Sequence, residues 1–410
     1  MKEILCVLLV LAAAASLCRA ADEPPKLDPI KRVTIGPNRQ FRVNGKPFLP
    51  IMVWLQSEKR IPQIKASAMN TICAQSTKLS AKDYLDTLAR SDLYAVMTLG
   101  TDVAVARHSH LLGWIQGDEP DMPRKHQDGT FGARSPESAV AEPYRKIKQA
   151  DPSRPVMMNF TAYFMKSKTG KFDAAAKRRI YPAYVQHCDV IGFDTYPIYG
   201  SGMPKNLCDL ADGVTELRAI AGPRKPVYAW IETSKGSKWM TYEKQLDVLP
   251  IHTRSEVWMA LIRGASAIGY FTHAWRPSYT QFRPEGEMVK ELHRLNTQLT
   301  RLAPAILAEP AKVKVAMTMA GKLNCHQKAT QHDGSLWIFA QNLDLGPGAE
   351  KLGQFQQISP RAGKAVFTVA GLKAGTKIEV FDEDRSITAG NGKFTDEFPP
   401  LREHVYKVRM

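Results

Sequence analysis

The chain has 410 residues, of which 44% are hydrophobic and 23% are charged, and its formal net charge is +16. This length is too great for one small core and suits a large barrel with a smaller second domain, built with the composition of an ordinary globular protein. The charge favours anionic partners, but the sequence has no recognisable nucleic-acid-binding module, so we expect no nucleic acid partner. Binding to an acidic or sulfated polysaccharide, or to a negatively charged cell envelope, would account for the surplus of positive charge. The alternative is that exported proteins of the source are basic in general.

The N-terminus predicts a secretory signal peptide over residues 1–20. Lys2 precedes an apolar run that gives way to small residues near Ala20, the order of a basic start, a hydrophobic segment and a cleavage site. Cys18 also permits a lipoprotein interpretation, although the bulky Leu17 before it fits that signal poorly. No later run is long enough to span a bilayer, so we expect a secreted or periplasmic protein without a membrane span.

Four of the six cysteines lie beyond the predicted signal peptide, and none shows a metal-type spacing such as CxxC. Four cysteines allow three pairings, and Cys188 with Cys208 is the nearest pair along the chain. Buried free thiols are the alternative, because a domain of this size does not need disulfides to fold. Both interpretations also cover the other two cysteines, Cys73 and Cys325.

The next segments begin a regular alternation of structure. Residues 21–32 are predicted to form a linker. Asn44-Gly45 then separates two alternating runs, which is a strong hairpin signal, and we expect this hairpin to cover the bottom of the following domain. From Phe48 onward, eight apolar runs alternate with helical stretches, and they end near Gln56, Gln75, Thr101, Glu119, Tyr163, Tyr196, Glu232 and Trp275.

Helix-start signals support helices between these runs. Ser80 is a predicted N-cap, Ser135 to Ala150 carries Pro136 at a first-turn position, and Thr253 to Glu256 has the pattern of a capping box. Strands and helices that alternate eight times predict an α/β fold, a (β/α)8 TIM barrel. An open doubly wound sheet would need a glycine-rich phosphate loop after its first strand, and none is present.

The barrel is predicted to span residues 33–303, and the pattern changes after it. Strand-like runs then follow one another without helices, separated by clusters of Asn, Asp and Gly. This predicts a small C-terminal antiparallel β-sandwich domain over residues 304–410.

The functional prediction comes from the C-terminal ends of the barrel strands, where working residues of such barrels lie. Glu119 ends the fourth apolar run, and Glu232 ends the seventh. These two ends face each other across a closed barrel. Two facing carboxyl groups suit glycosidic bond cleavage, in which one protonates the leaving oxygen and the other attacks or stabilises the anomeric carbon.

These residues give the chain a resemblance to the clan A glycoside hydrolases, a large group of retaining (β/α)8 enzymes. The matching motifs are GDEP at 117–120 and WIE at 230–232, supported by FRVNGKPFLP and by EVWMALIRGASAIGYF, and the resemblance covers roughly residues 33–303. It implies that Glu119 is the acid/base and Glu232 the nucleophile. It also implies a tyrosine hydrogen-bonded to the nucleophile, matched by Tyr196, and a tryptophan beneath the reacting sugar, matched by Trp275.

One position departs from the family pattern. The residue before the acid/base is usually an asparagine that contacts the sugar 2-hydroxyl, and here it is Asp118. An aspartate still accepts that hydrogen bond, and its charge would raise the pKa of Glu119, which suits a proton donor.

Further polar and aromatic residues follow the strands and are candidate sugar contacts, while packed aromatics and ordinary strand-end polar groups are the alternative interpretation. The substrate-binding candidates are Trp54, Gln75, Asp118, Asn159, Asp194, Tyr196, His273 and Trp275. Trp114 and Trp230 are expected in the barrel core. The basic segment 166–179 is either a site for an acidic or sulfated glycan or a solvated face.

The sequence thus predicts a secreted retaining β-glycoside hydrolase that acts on a poly- or oligosaccharide, an anionic one among the options. No metal-type cluster of ligands is found, so we expect no metal and no cofactor. Two alternatives remain open: a non-catalytic carbohydrate-binding or cell-envelope protein on a barrel scaffold, and a transglycosylase that uses the same two glutamates. The sugar, the linkage, endo or exo action and the oligomeric state are all left open.

Overall fold

The computed structural model describes residues 25–409, so the predicted signal peptide and the first residues of the predicted linker lie outside the described residues. The chain begins with an antiparallel sheet of β1 (Val33–Ile35), β2 (Phe41–Val43) and β3 (Lys46–Phe48). Asn44 and Gly45 both have positive φ, 51° and 83°, as a two-residue type I′ hairpin requires. The predicted hairpin is confirmed.

A closed barrel of eight parallel strands follows, which confirms the predicted TIM barrel. Its last strand pairs with its first, so that the sheet has no free edge. In chain order, and with a short hairpin in the middle, the strands are β4 (Ile51–Gln56), β5 (Thr71–Gln75), β6 (Tyr94–Thr98), β7 (Leu111–Ile115), the hairpin strands β8 (Pro123–Lys125) and β9 (Phe131–Ala133), and then β10 (Val156–Thr161), β11 (Val190–Asp194), β12 (Val227–Glu232) and β13 (Ala267–Phe271).

Large aromatic side chains fill the barrel interior, and small residues on neighbouring strands make room for them. A Cβ on Gly192 would lie 2.1 Å from the Tyr228 ring, and a Cβ on Gly269 would lie 2.1 Å from the Trp230 ring. These two glycines are therefore needed for close approach rather than for backbone freedom. The bottom of the same core is closed by the N-terminal sheet, where Phe48 meets Tyr94 edge to face at 5.3 Å.

Seven α-helices connect and cover the strands in the described part of the chain. They are α1 (Ile61–Ala66), α2 (Ala81–Arg90), α3 (Ser138–Ala150), α4 (Ala174–Val185), α5 (Asp209–Ala221), α6 (Pro250–Ile262) and α7 (Gly286–Ile306). None of the helices in residues 25–409 is both long and apolar enough to cross a membrane.

The helix-start predictions have different outcomes. Ser80 caps α2 as predicted, because its Oγ accepts a hydrogen bond from the Asp83 amide at 3.1 Å. Helix α3 begins at Ser138, three residues later than predicted, with Pro136 outside it. The capping box at Thr253 to Glu256 is wrong: Pro250 at the first helical position starts α6 earlier, so these residues lie inside the helix and are buried.

After α7 the chain forms two antiparallel sheets, as predicted for a sandwich. One sheet has six strands in the order β14-β16-β17-β22-β19-β20, and the other has three in the order β15-β18-β21. Their bounds are β14 (Glu309–Pro310), β15 (Val315–Met319), β16 (Cys325–His332), β17 (Ser335–Asn342), β18 (Gly363–Val369), β19 (Lys377–Val380), β20 (Arg385–Thr388), β21 (Lys393–Phe398) and β22 (Glu403–Arg409).

Helix α6 joins the barrel to the six-stranded sheet. Trp258 stacks on Phe339 of β17 at 6.1 Å, and Ser255 Oγ accepts a hydrogen bond from Gln341 Nε2 at 2.9 Å. Arg254, which is 2% exposed, forms ion pairs with Glu291 of α7 and with Glu403 of β22, which is itself buried. The side of α6 towards the barrel touches the seventh barrel strand. The helix therefore has partners on both sides.

The cysteines outside the predicted signal peptide are free thiols. Cys73 and Cys188 are buried, and Cys208 and Cys325 are partly buried. This agrees with the free-thiol interpretation of the sequence.

Candidate active site

Glu119 lies on a loop beyond the fourth barrel strand, not at its end. Strand β7 stops at Ile115, four residues earlier than the sequence predicted, and Gln116 makes the last ladder contact through its amide to the Met157 carbonyl at 2.9 Å. The chain then turns away, and Glu119 has φ of 47°, in the left-handed region that non-glycine residues seldom adopt. Such strained backbone is often found at functional sites.

A buried aspartate fixes this loop. Asp121 accepts hydrogen bonds from the Thr161 amide at 2.9 Å, from Thr161 Oγ1 at 2.6 Å and from the Tyr181 hydroxyl at 3.0 Å. Burial raises the pKa of Asp121 to about 6, while the hydrogen bonds act against that rise. The Glu119 loop is thereby tied to β10 and to α4. No local pattern indicates this role, because the partners lie 40 and 60 residues away along the chain.

The carboxyl group of Glu119 lies beside that of Asp194 at the end of β11. Each carboxyl group shifts the pKa of the other, and two such neighbouring groups cannot both carry a charge without repulsion. Burial, and then the charge of Asp118, raise the pKa of Glu119 to about 7. Burial and then the charge of Glu119 raise the pKa of Asp194 well above its ordinary value. Asp194 was predicted as a sugar contact, and the structure places it against Glu119.

Asp118 and Asn159 also come together. Asn159 Nδ2 donates a hydrogen bond to Asp118 Oδ1 at 3.0 Å, and the Arg134 guanidinium donates to the Asp118 backbone carbonyl. As a whole residue, Asp118 is exposed at the barrel mouth. Its carboxyl group, however, is surrounded by protein, and this burial raises the pKa of Asp118. The predicted effect of Asp118 on the pKa of Glu119 is confirmed in direction.

Glu232 ends β12, as predicted, and it is fully buried. Its carboxylate accepts hydrogen bonds from the Ile198 amide at 3.0 and 3.2 Å and from the Tyr199 amide at 2.6 Å. Burial raises the pKa of Glu232 to about 7, and these two amides act against the rise because they stabilise the charged form. The family resemblance assigned the role of partner to the Tyr196 hydroxyl, whereas here backbone amides two and three residues further along hold the carboxylate.

A second acid, which the sequence did not point out as a site residue, stands behind Glu232. Glu256 of α6 is fully buried, and its Oε2 accepts a hydrogen bond from the Glu232 amide at 3.3 Å. Burial, followed by the charge of Glu232, raises the pKa of Glu256 well above its ordinary value. On the same helix, Thr253 Oγ1 donates to the Glu232 carbonyl at 2.9 Å. An acid inside the otherwise apolar run EVWMALI was the available signal.

An aromatic wall follows the eighth strand. Trp275 stacks on Phe271 at 5.9 Å and on His273 at 5.8 Å, and Tyr279 extends the row at 6.0 Å. Burial lowers the pKa of His273 to about 4, so its ring is neutral at physiological pH. Tyr279 is 57% exposed, so the wall reaches the surface. We define Phe271, His273, Trp275 and Tyr279 as the aromatic wall.

Two neighbours extend this surface. Lys238 Nζ lies 5.3 Å from the Trp275 ring centre and 5.6 Å from that of Trp239, which is 58% exposed. Tyr196, half-buried, lies 4.8 Å from Phe271 between ring centres. Exposed rings beside a cation are suited to binding the apolar faces of sugars and a polar or anionic substituent.

The remaining candidate sugar-binding residues contact other residues of the protein. Trp54 meets Trp230 edge to face at 5.2 Å. Gln75 Nε2 donates to Thr98 Oγ1 and to Thr101 Oγ1, both at 2.9 Å. Among residues 25–409, no group of three His, Cys, Asp or Glu side chains is arranged to hold a metal ion.

Two cavities of similar volume lie apart from the carboxyl groups of Glu119 and Glu232. One, of about 880 Å³, is bordered by Asp118 and Arg134. The other, of about 890 Å³, lies between the β8–β9 hairpin and the segment 166–179. Neither is lined by Glu119 or Glu232. The paired carboxyl groups, through their burial and raised pKa values, mark the candidate site more clearly than cavity size does.

Of the comparisons with known proteins, the comparison with solved structures found similar folds. No family model matches the chain, and no curated protein matches it. An α-amylase from Geobacillus thermoleovorans, solved in complex with acarbose, is 11% identical, with 95% of this chain and 99% of that chain covered and a TM-score of 0.53. An Anoxybacillus α-amylase is 8% identical, with 86% and 89% covered and a TM-score of 0.49. An endoxylanase from Clostridium papyrosolvens is 11% identical, with 93% and 100% covered and a TM-score of 0.45. The first of these shows a shared fold along nearly the whole chain.

Proposed function

We propose that this chain is an exported glycoside hydrolase that cleaves a poly- or oligosaccharide with retention of configuration at a β-linkage. The observation that carries the proposal is the presence of two pairs of neighbouring carboxyl groups in one barrel, Glu119 of the loop after β7 with Asp194 at the end of β11, and Glu232 at the end of β12 with Glu256 of α6. Glycoside hydrolysis requires two carboxyl groups with different roles, set by their surroundings. The fold neighbours named above, an amylase bound to acarbose among them, are consistent with a carbohydrate substrate.

The charges and hydrogen bonds around each glutamate support a different role for each. Glu119 has acidic neighbours, Asp118 and Asp194, and these favour its protonated form. Glu232 instead receives two backbone amides, which favour its ionised form. We therefore assign Glu119 as the proton donor and Glu232 as the nucleophile.

The reaction would take two displacements. In the first, the Glu232 carboxylate attacks the anomeric carbon while Glu119 gives its proton to the leaving oxygen, so that an alcohol departs and a glycosyl-enzyme ester forms. In the second, the Glu119 carboxylate removes a proton from water, the water oxygen attacks the anomeric carbon, and the Glu232 carboxylate is released. The aromatic wall would hold the sugar rings during both steps.

Single variants test the assignment. Glu119→Gln and Glu232→Gln should each lower kcat by about 10²–10⁴-fold or more on a polysaccharide that the wild type cleaves. The matched control is Glu350→Gln, which changes an exposed glutamate and should leave turnover unchanged. Wild-type turnover in both site variants would refute the roles, and an initial product of inverted anomeric configuration by NMR would refute the retaining mechanism.

One observation favours a second candidate, a non-catalytic carbohydrate-binding protein on the same scaffold. Glu232 has no exposed surface, and its carboxylate oxygens are already hydrogen-bonded to backbone amides. Such a carboxylate could instead serve to hold the loop that carries Ile198 and Tyr199. This candidate expects glycan binding without turnover across a broad polysaccharide screen.

A further inference from the structure

The larger cavity, of about 890 Å³, lies on the active-site side of the barrel and has a marked positive charge. One wall comes from the β8–β9 hairpin, which follows the fourth barrel strand, and the other comes from the segment 166–179, which follows the fifth. Loops that follow barrel strands lie at the C-terminal face, where substrates of such barrels bind. The segment 166–179 was predicted as a basic loop that is either a site for an acidic or sulfated glycan or a solvated face, and its last six residues are in fact the first turns of α4.

The cavity is lined by five basic side chains and a single acid. The acid, Asp173, is occupied as the N-cap of α4, because its Oδ1 accepts a hydrogen bond from the Ala176 amide at 2.7 Å. The basic side chains are His126, Lys166, Lys171, Lys177 and Arg179.

None of the lining lysines and arginines forms an ion pair with an acid of residues 25–409. Lys168, which is in the same segment but does not line the cavity, does form one, with Asp209 at 2.6 Å. Lys177 is partly buried, and its amino group donates only to the carbonyls of Met165 and Lys168. Unpaired cations in a concave site repel one another and concentrate a positive potential, so an anion bound there would relieve the repulsion.

The wall of the cavity also holds a cation in place. Lys171 Nζ lies 4.3 Å from the centre of the Phe131 ring, so the hairpin fixes the position of this amino group. A fixed amino group loses less side-chain entropy when it binds an anion than a free surface lysine does.

The cavity is connected to the Glu119 loop through α4. Its first turns line the cavity, and its Tyr181 hydroxyl donates to Asp121 at 3.0 Å. Asp121 is two residues after Glu119. The cavity and the Glu119 loop are therefore both supported by α4 at the same face of the barrel.

We propose that this cavity is a binding subsite for the carboxylate or sulfate groups of an anionic polysaccharide whose scissile bond lies at Glu119. The inference rests on the proposed function for the position of the scissile bond, and on the unpaired cations for the anionic ligand. The net charge of +16 is consistent with it.

Binding measurements test the subsite without requiring turnover. Affinity electrophoresis of the full chain carrying Glu119→Gln would use polygalacturonate as the carboxylate probe, dextran sulfate as the sulfate probe and dextran as the neutral probe. Adding Lys166→Ala and Lys171→Ala should weaken binding to one anionic probe by about tenfold or more, which corresponds to the loss of two charge-assisted contacts. The matched control adds Lys312→Ala and Lys314→Ala, which remove the same charge from exposed positions just before β15.

The outcomes separate the subsite from the proposed reaction. Equal losses in the cavity and control variants, or equal affinity for the neutral and anionic probes, would overturn the subsite. Binding of a single-stranded oligonucleotide as tightly as either anionic glycan, with the same loss in the cavity variants, would overturn the carbohydrate class of the ligand. If the cavity variants selectively lose binding to an anionic glycan and the wild-type protein cleaves no glycan, the subsite proposal stands and the hydrolase proposal is refuted.

Discussion

Replacing Glu232 by glutamine should change how the stability of the protein depends on pH. The pKa of Glu232 rises from its ordinary value of 4.5 to about 7 in the folded protein, chiefly through burial. Between these two values the folded state binds more protons than the unfolded state, so the free energy of unfolding falls as the pH rises through this window. A shift of this size corresponds to roughly 3 kcal/mol at pH values above both pKa values.

The glutamine variant removes this dependence but keeps the shape of the side chain. Its amide oxygen can still accept the Tyr199 amide, which lies 2.6 Å from Glu232 Oε2. The difference in free energy of unfolding between variant and wild type should therefore increase by about 3 kcal/mol in favour of the variant from pH 4.5 to pH 8. Titrating groups that are not coupled to Glu232 contribute to both proteins and cancel in the difference, whereas Glu256, whose pKa the charge of Glu232 raises, changes with the variant.

Urea unfolding at the two pH values measures the change, with the m-value checked for constancy. Glu350→Gln, at an exposed glutamate, is the control and should stay within about 0.5 kcal/mol of the wild type at both pH values. A Glu232→Gln difference that is the same at pH 4.5 and pH 8 would show that burial does not hold a proton on this carboxyl group.

Three further predictions concern the neighbours of the site and the domain contact. Asp118→Asn removes a charge that raises the pKa of Glu119, so the alkaline limb of the kcat/KM profile should move to lower pH if Glu119 is the proton donor. Trp239→Ala should raise the KM for a long oligosaccharide by about two- to tenfold, since it removes an exposed ring worth about 0.5–1.5 kcal/mol. Arg254→Ala should lower the free energy of unfolding by about 3–5 kcal/mol, because it leaves the buried Glu403 without its partner.

Each of these has a control and a contradicting result. For the pH profile, Asp128→Asn on the β8–β9 hairpin should leave both limbs in place, and an unmoved limb in Asp118→Asn would contradict the role of Asp118. For Trp239, an equal change in KM for a short and a long oligosaccharide would contradict a contact between Trp239 and a sugar unit far from the scissile bond. For Arg254, the control is Lys290→Ala in the exposed pair with Glu287, expected to cost at most about 1 kcal/mol, and a similar small cost in Arg254→Ala would contradict the buried pair.

The barrel could be predicted because its signal is local and repeated. Each strand buries both faces and so appears as a continuous apolar run, and Glu232 was correctly placed because its run ends on that residue. Glu119 was placed at a strand end, yet it lies four residues beyond one, because its backbone adopts a left-handed conformation that the sequence does not announce. The pattern of apolar residues predicts where strands lie, but it does not predict the backbone path of a strained loop.

Two residues that support the glutamates, Asp121 and Glu256, could not be recognised from the sequence for a different reason. Asp121 is held by residues 40 and 60 positions further along the chain, and only the folded topology brings them together. Glu256 matched a capping box, but Pro250 set the start of the helix earlier and left Glu256 on a buried face. For Glu256, the helix start at Pro250 overrode the capping-box pattern. For Asp121, contacts between residues far apart in the sequence determine its role.

Helix α6 has a consequence for how this protein can change. On one side it places Glu256 against Glu232, and on the other it packs Trp258 on Phe339 of the β domain. The second domain is thus not an attachment that evolution or engineering can exchange freely, because its removal would uncover the outer face of the helix that supports the proposed nucleophile. Selection on the β-sandwich surface facing α6 and selection on catalysis would act on the same few residues.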